Sequence, residues 1–512
     1  MLSDPASLAA RPSDARLLPV PRWLLLAFLF LVAFGIRMYR STDPPMEFHA
    51  TRQYRSLILA RGFYFDHVAS VPQSQRAVAR CSQEKQGILE PPIMEFVVAT
   101  GYRVLGGERL WLPRLFSTLF WLAGGGFLYL IGRRVTDGEA PLFSTGFYLF
   151  LPFAVVASRS FQPDPLMVML MLASVWASLR YDEAASGPRL LGAAALSSLA
   201  FVVKPGSVFV VLAVFLALAI RRYGIRRALG SRAVVIFVVV TLVPTLLIYA
   251  YGIVSGAFLV HEAQKTVLPQ LWLTTFFWRG WLMQIGSTVG FVCFIGALLG
   301  TCGFRPGVPR TLMTALWVGY GLFGLALNYN LATHDYYQLQ LIPIVGLALG
   351  PVVAVVMHRV YDAQPARRWR LAIWGVWALA LVLSVADARA RLVHPASERR
   401  VALQRDIGEQ VRHSRRTIFL SGDYGVPLEY HGMLCGTSWP LGWDLEWERL
   451  AGRPVLGAQE RFERRYAEGA PEYFIVEDLE EFAKQPDLGR FLSRFPVVAQ
   501  NGDYVIFALT ER

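Results

Sequence analysis

Eleven apolar runs limit what this chain can fold into more than any other feature. They are residues 23–38, 115–131, 142–157, 165–179, 190–203, 206–220, 233–254, 283–300, 312–327, 339–357 and 371–386. A helix needs roughly 20 largely apolar residues to cross a bilayer, with tolerance for tilt and buried ends. Backbone inside hydrocarbon must also satisfy its own hydrogen bonds, which leaves helices or closed barrels. The runs therefore predict a mainly α, polytopic membrane protein of about 11 transmembrane helices. Only Lys204 and Pro205 separate the fifth and sixth runs, so these two predict a tight helical hairpin.

Composition supports a bilayer solvent: 54% of the 512 residues are hydrophobic and 17% charged, with a mean hydropathy of +0.40. The formal net charge of +13 does not point to nucleic acid, because the arginines sit in short clusters between the apolar runs rather than on one soluble face. Clusters at Arg133–Arg134, Arg180–Arg189, Arg221–Arg232, Arg305–Arg310 and Arg359–Arg370 follow even-numbered runs, which assigns those loops to the cytoplasm. The first run follows Arg11, Arg16 and Arg22 without a small-x-small cleavage site. It reads as a retained first helix with a cytoplasmic N-terminus.

Two larger pieces then fall on the exterior side. The loop 39–114 carries helical periodicity at 53–64 and 93–105, as expected for helices lying along the membrane surface. The tail 393–512 has short apolar runs at 417–420 and 473–476 and a hairpin pattern around Asn501-Gly502, which predicts a small soluble α/β domain. The predicted division is thus 1–392 in the membrane and 393–512 outside it. Cys81 and Cys435 share the oxidising side on this topology, where either a disulfide or two free buried thiols is open.

Ionisable groups held at one face of a membrane protein are candidates for function. The exterior face collects Glu47, His49 and Arg52 after the first run, Arg159 and Asp164 between the third and fourth, Lys204, Lys265, and His334-Asp335-Tyr336-Tyr337 after the ninth. Each has an ordinary structural reading as well. Glu47 can pair with Arg52 or Arg55 on a solvated loop, and Asp164 can cap the fourth helix. Lys204 can snorkel to headgroups, Tyr336 and Tyr337 can belong to an interfacial belt, and His49 can be a hydrogen-bonded loop residue.

In order and spacing these residues resemble the GT-C glycosyltransferases, in particular the branch of protein O-mannosyltransferases and lipid A aminoarabinose transferases. The resemblance spans residues 23–386. It rests on the acidic first loop, Pro91-Pro92, Pro113-Arg114-Leu115, Gly132-Arg133-Arg134, Gln162-Pro163-Asp164-Pro165, the turn at Lys204, and Tyr336-Tyr337. It implies a bacterial inner-membrane enzyme that moves a sugar from a polyprenyl-phosphate donor onto an envelope acceptor, with inversion.

Such a transfer needs a base for the acceptor proton and cations for the leaving phosphate. The expected base is Glu47, with Asp164 as second acid. The expected phosphate contacts are Arg52, Arg159, Lys204, Lys265, Tyr336 and Tyr337. A divalent metal ion bridging Glu47, His49 and Asp164 is a further expectation, and no other cofactor is implied. The chain departs from the family at two places: the usual Asp-Glu pair is Glu47-Phe-His49 here, and Glu90 stands where a lysine commonly precedes Pro-Pro. The alternatives in other classes are a flippase or transporter for lipid-linked glycans, which commonly shows internal repeats and mid-depth charges, and a non-catalytic assembly protein.

Overall fold

All eleven apolar runs fall on helices in the computed structural model, which describes residues 21–255, 268–362, 366–394, 397–450 and 453–510. Five helical stretches are long and apolar enough to cross a membrane unaided: Trp111–Val135, Pro205–Tyr223, Arg232–Val254, Asp335–Arg359 and Leu371–Arg391. Two bent pairs raise the number to seven. The chain is a multi-pass membrane protein, although fewer of its helices are full-length spans than the eleven runs predict.

The difference has local causes. The first helix, Arg22–Met38, has 17 residues, and Gly187–Val203 is equally short. The run 283–300 is not one rod but two helices, Thr275–Val289 and Phe291–Cys302, meeting at 94°. Gly290 makes the corner with φ +78°, a conformation open to glycine and unfavourable for other L-residues.

Large apolar side chains point outward on these helices. Leu246, Leu247 and Tyr251 on Arg232–Val254, and Val376, Leu379 and Val382 on the helix Ala366–Arg391, are all exposed. A continuous apolar exterior of this kind is stable only against lipid.

The loop after the first helix forms three helices, Ala50–Phe65, Gln73–Gln86 and Ile93–Leu105. The tail carries a five-stranded sheet of β1 (Thr417–Leu420), β2 (Gly436–Ser438), β3 (Tyr473–Val476), β4 (Val497–Gln500) and β5 (Val505–Ala508). The strand order is β2-β1-β3-β5-β4; β1 pairs in parallel with β2 and β3, and β5 antiparallel with β3 and β4. Ile418, Phe474 and Ile475 are fully buried, as the apolar runs predict for the central strands of a covered sheet.

The tail is fastened to the first loop, and this contact bears on the site described below. Cys81 and Cys435 are disulfide-bonded across 354 residues of sequence. Around the bond, Ser82 donates to the carbonyl of Leu434 (3.1 Å) and Lys85 to Thr437 (2.9 Å). Arg61 donates to the carbonyl of Tyr430 (2.6 Å), pairs with Glu108 (2.9 and 3.0 Å) and lies 3.7 Å over the Tyr430 ring. A crosslink over so long a loop is expected to stabilise by about 2–4 kcal/mol. Reduction should therefore shift the mobility of the intact protein on a gel and lower its melting temperature; unchanged mobility would contradict the bond.

Glu429 makes this junction sensitive to pH. Its carboxylate accepts from the N–H of Gly436 (3.1 Å) and from the side-chain amide of Gln86. Burial pushes the carboxyl up from its ordinary value of 4.5 to about 7, against the opposing pull of those hydrogen bonds. A raised carboxyl favours the neutral form in the folded state. Its contribution is therefore full below about 4.5 and is lost as pH rises through about 7. Melting temperature is expected to fall between pH 5 and pH 8, and Glu429→Gln should flatten that slope.

Candidate active site

Where the chain leaves the first helix, buried side chains fix its path. Arg114, in the first turn of Trp111–Val135, donates to the carbonyls of Ser41 (2.7 Å) and Asp43 (2.6 Å) and holds both carboxylate oxygens of Glu47 (2.7 and 2.9 Å). Arg159 donates to the carbonyls of Tyr39 (2.6 Å) and Arg40 (3.2 Å), and its Nε lies 3.3 Å from Glu47. The three side chains are between 1 and 4% exposed. Gln53 ties the same loop to the next exterior turn: it donates to the carbonyl of Phe48 (2.7 Å) and accepts from the N–H of Phe161 (3.1 Å). Two guanidiniums around one carboxylate, with their terminal nitrogens also donating to loop carbonyls, compensate a buried charge cluster in which only the two Nε–H groups lack a hydrogen-bond acceptor.

A second cluster is built by residues from four segments. Lys204 ends the helix Gly187–Val203, where Pro205 prevents its continuation. Its ammonium lies 2.8 and 3.0 Å from the two oxygens of Asp164, the first residue of the helix Asp164–Glu183. The same ammonium is 5.0 Å from the centre of the Tyr336 ring and 4.8 Å from that of Tyr337. Arg52, from Ala50–Phe65, lies over Tyr336 at 5.6 Å and pairs with Glu90 at 3.3 Å. Two cations thus share one aromatic pair, an arrangement favoured by the negative ring faces. Asn330 donates to the Tyr337 hydroxyl (2.9 Å) and steadies that ring.

The cluster is formally balanced, with Arg52 and Lys204 each paired to a carboxylate. Burial pushes the Glu90 carboxyl up, yet Arg52, then Lys204 and Arg55, outweigh it and hold Glu90 below the usual carboxylate range. At the open side His49 Nε2 lies 2.6 Å from Asp335 Oδ1, each side chain about a third exposed at 32 and 31%. The His49 ring packs edge-on against Tyr336 with centroids 4.9 Å apart. Neighbouring His334 is lowered to about 4, first by burial and then by His49 and Arg52.

Of the residues singled out from sequence, Arg52, Asp164, Lys204, Tyr336 and Tyr337 stand together, with His49 at the edge. Glu47 and Arg159 belong to the buried loop clamp instead. Lys265 lies outside the described residues. Several ordinary readings do not match the geometry. Glu47 is not on a solvated loop paired with Arg52 or Arg55. Asp164 makes no capping hydrogen bond, because its oxygens turn to Lys204. Tyr336 is buried against cations rather than facing lipid.

Nor do Glu47, His49 and Asp164 form a metal site. Each is engaged by a different partner, and among the described residues no three His, Cys, Asp or Glu side chains stand close enough to share an ion. Sequence reasoning passed over Arg114, Glu90 and Asp335 as site residues. Two of them left a trace: Glu90 as a departure from the family pattern, and Asp335 as a charge beside the tyrosine pair.

Comparison with known proteins places this architecture. Residues 89–251 match the family described as dolichyl-phosphate-mannose-protein mannosyltransferase. The whole chain superposes on ArnT from Cupriavidus metallidurans bound to undecaprenyl phosphate, with a TM-score of 0.60 over 95% of this chain and 97% of that one at 15% identity. The chain has the ArnT fold. The fold is also similar to that of the Archaeoglobus fulgidus oligosaccharyltransferase AglB in complex with an inhibitory peptide and a dolichol-phosphate: TM-score 0.51, 12% identity, 96% of this chain and 75% of that one. It is similar again to that of the mycobacterial arabinofuranosyltransferase AftD, with TM-score 0.51 and 14% identity over 97% of this chain and 40% of that one. No curated protein sequence matches this chain.

Proposed function

We propose that this protein transfers a sugar from a polyprenyl-phosphate carrier to an envelope acceptor at the exterior face of the bacterial inner membrane, with inversion at the anomeric carbon. Residues 1–392 form the membrane catalytic domain in this reading, and 393–512 an α/β domain in the periplasm. The supporting observation is the meeting of Arg52 and Lys204 over the Tyr336-Tyr337 pair.

The leaving group of such a reaction is a lipid phosphate at headgroup depth, and its departure develops negative charge. Two preorganised cations in a partly water-excluded cluster stabilise that charge more than water does. Arginine offers a planar fork and lysine a point charge, so Arg52 orients the phosphate while Lys204 neutralises it. Asp164 holds Lys204 in place. Glu90 tempers Arg52, so that the carrier phosphate competes with a protein carboxylate and the spent carrier can leave.

The test is to incubate the purified protein with a panel of polyprenyl-phosphate sugars and total envelope extract, then identify the product by mass spectrometry. A glycosylated acceptor that depends on one donor supports transfer. Movement of a lipid-linked glycan across vesicles without a new glycosidic bond would instead favour the flippase reading.

A further inference from the structure

The geometry points to His49, oriented by Asp335, as the group that takes the acceptor's proton in the transfer proposed above. This assignment rests on that reading and replaces Glu47 as the expected base.

Three observations carry it. First, Glu47 is engaged: both its oxygens are held by Arg114, Arg159 stands 3.3 Å away, and the carboxylate is 4% exposed. A carboxylate held on both oxygens by guanidiniums and sealed from solvent is not placed to meet an acceptor hydroxyl. Asp164 and Glu90 are likewise taken by Lys204 and Arg52.

Second, His49 is reachable, and it stands at the rim of the Arg52–Lys204–tyrosine cluster. A carboxylate oxygen accepts, so Nε2 carries the proton of the 2.6 Å bond to Asp335, and this leaves the Nδ1 lone pair open. A base oriented by a carboxylate behind it has the arrangement found in acid–base catalysis generally. Third, His49 holds a left-handed backbone with φ +43° and ψ +63° at the start of Ala50–Phe65. Non-glycine residues adopt that region only when their surroundings enforce it, and such strain gathers at functional positions.

The step balances without a co-reactant. The acceptor oxygen attacks the anomeric carbon and forms the new C–O bond. The bond from that carbon to the phosphate oxygen breaks, and its electron pair leaves with the polyprenyl phosphate. The acceptor proton passes to Nδ1, and Asp335 stabilises the resulting imidazolium. The groups facing His49 are Asp335, His334 and Tyr336 from the segment 334–337 and Arg52 from its own helix.

The test uses the full-length protein and the donor found active with wild type. Asparagine tolerates the left-handed backbone, so His49→Asn removes the base with little strain. It is expected to lower kcat by about 10²- to 10⁴-fold while the donor KM stays within about threefold. Asp335→Asn should lower kcat with less effect than His49→Asn, and should leave the binding of undecaprenyl phosphate unchanged. Wild-type kcat in His49→Asn would overturn the assignment while leaving the transfer reading intact. Absence of transfer by wild type with every donor would overturn the transfer reading itself.

Discussion

The Lys204→Met protein is expected to lose about 10²- to 10³-fold in transfer rate, the usual consequence of removing one preorganised charge partner from a transition state. The argument needs a second variant, because Lys204 also neutralises Asp164 in a pair whose side chains are 7 and 2% exposed. Removing one member of a buried pair leaves the other charge uncompensated and destabilises by about 3–5 kcal/mol, whereas replacing both with apolar residues is often neutral. The double variant Lys204→Met with Asp164→Leu should therefore regain the melting temperature of wild type and remain inactive. Recovery of activity along with stability would mean that the lysine only balances the aspartate.

The second large effect is expected from Arg114→Met, and here it falls on stability. Arg114 and Glu47 are 2 and 4% exposed, and the guanidinium also supplies hydrogen bonds to the carbonyls of Ser41 and Asp43. Its loss leaves Glu47 with Arg159 alone and orphans two loop carbonyls. A penalty of about 3–5 kcal/mol is expected, seen as a lower melting temperature and a lower yield of folded protein from membranes. Glu47→Gln should destabilise in the same way. A Glu47→Gln protein that melts like wild type yet transfers no sugar would restore Glu47 as the base.

These two expectations also show where the sequence was legible. The apolar runs all fall on helices among the described residues, because hydrocarbon leaves few alternatives to a helix and the signal lies in consecutive residues. Arg52, Lys204 and the tyrosine pair were picked out from sequence as well, and the fold brings them together. Partnership was not legible. Arg114 in the first turn of a helix looks like any interfacial arginine, and only the fold brings it to Glu47, 67 residues away.

His49 and Asp335 are separated by 286 residues, and no local pattern links them. Asp164 between two prolines has the local signature of a cap, but a buried lysine 40 residues on outcompetes the backbone for its oxygens. The break at Gly290 was equally hidden, since apolarity continues through it and only the backbone angle ends the rod.

The account depends on Arg52 and Lys204 meeting a lipid phosphate, and native mass spectrometry with undecaprenyl phosphate tests that directly. Wild type should retain the lipid phosphate. Arg52→Met with Glu90→Leu, and Lys204→Met with Asp164→Leu, should each weaken binding at least tenfold, about 1.4 kcal/mol, without a change in melting temperature. Equal retention of the lipid phosphate by wild type and both stable variants would contradict the account.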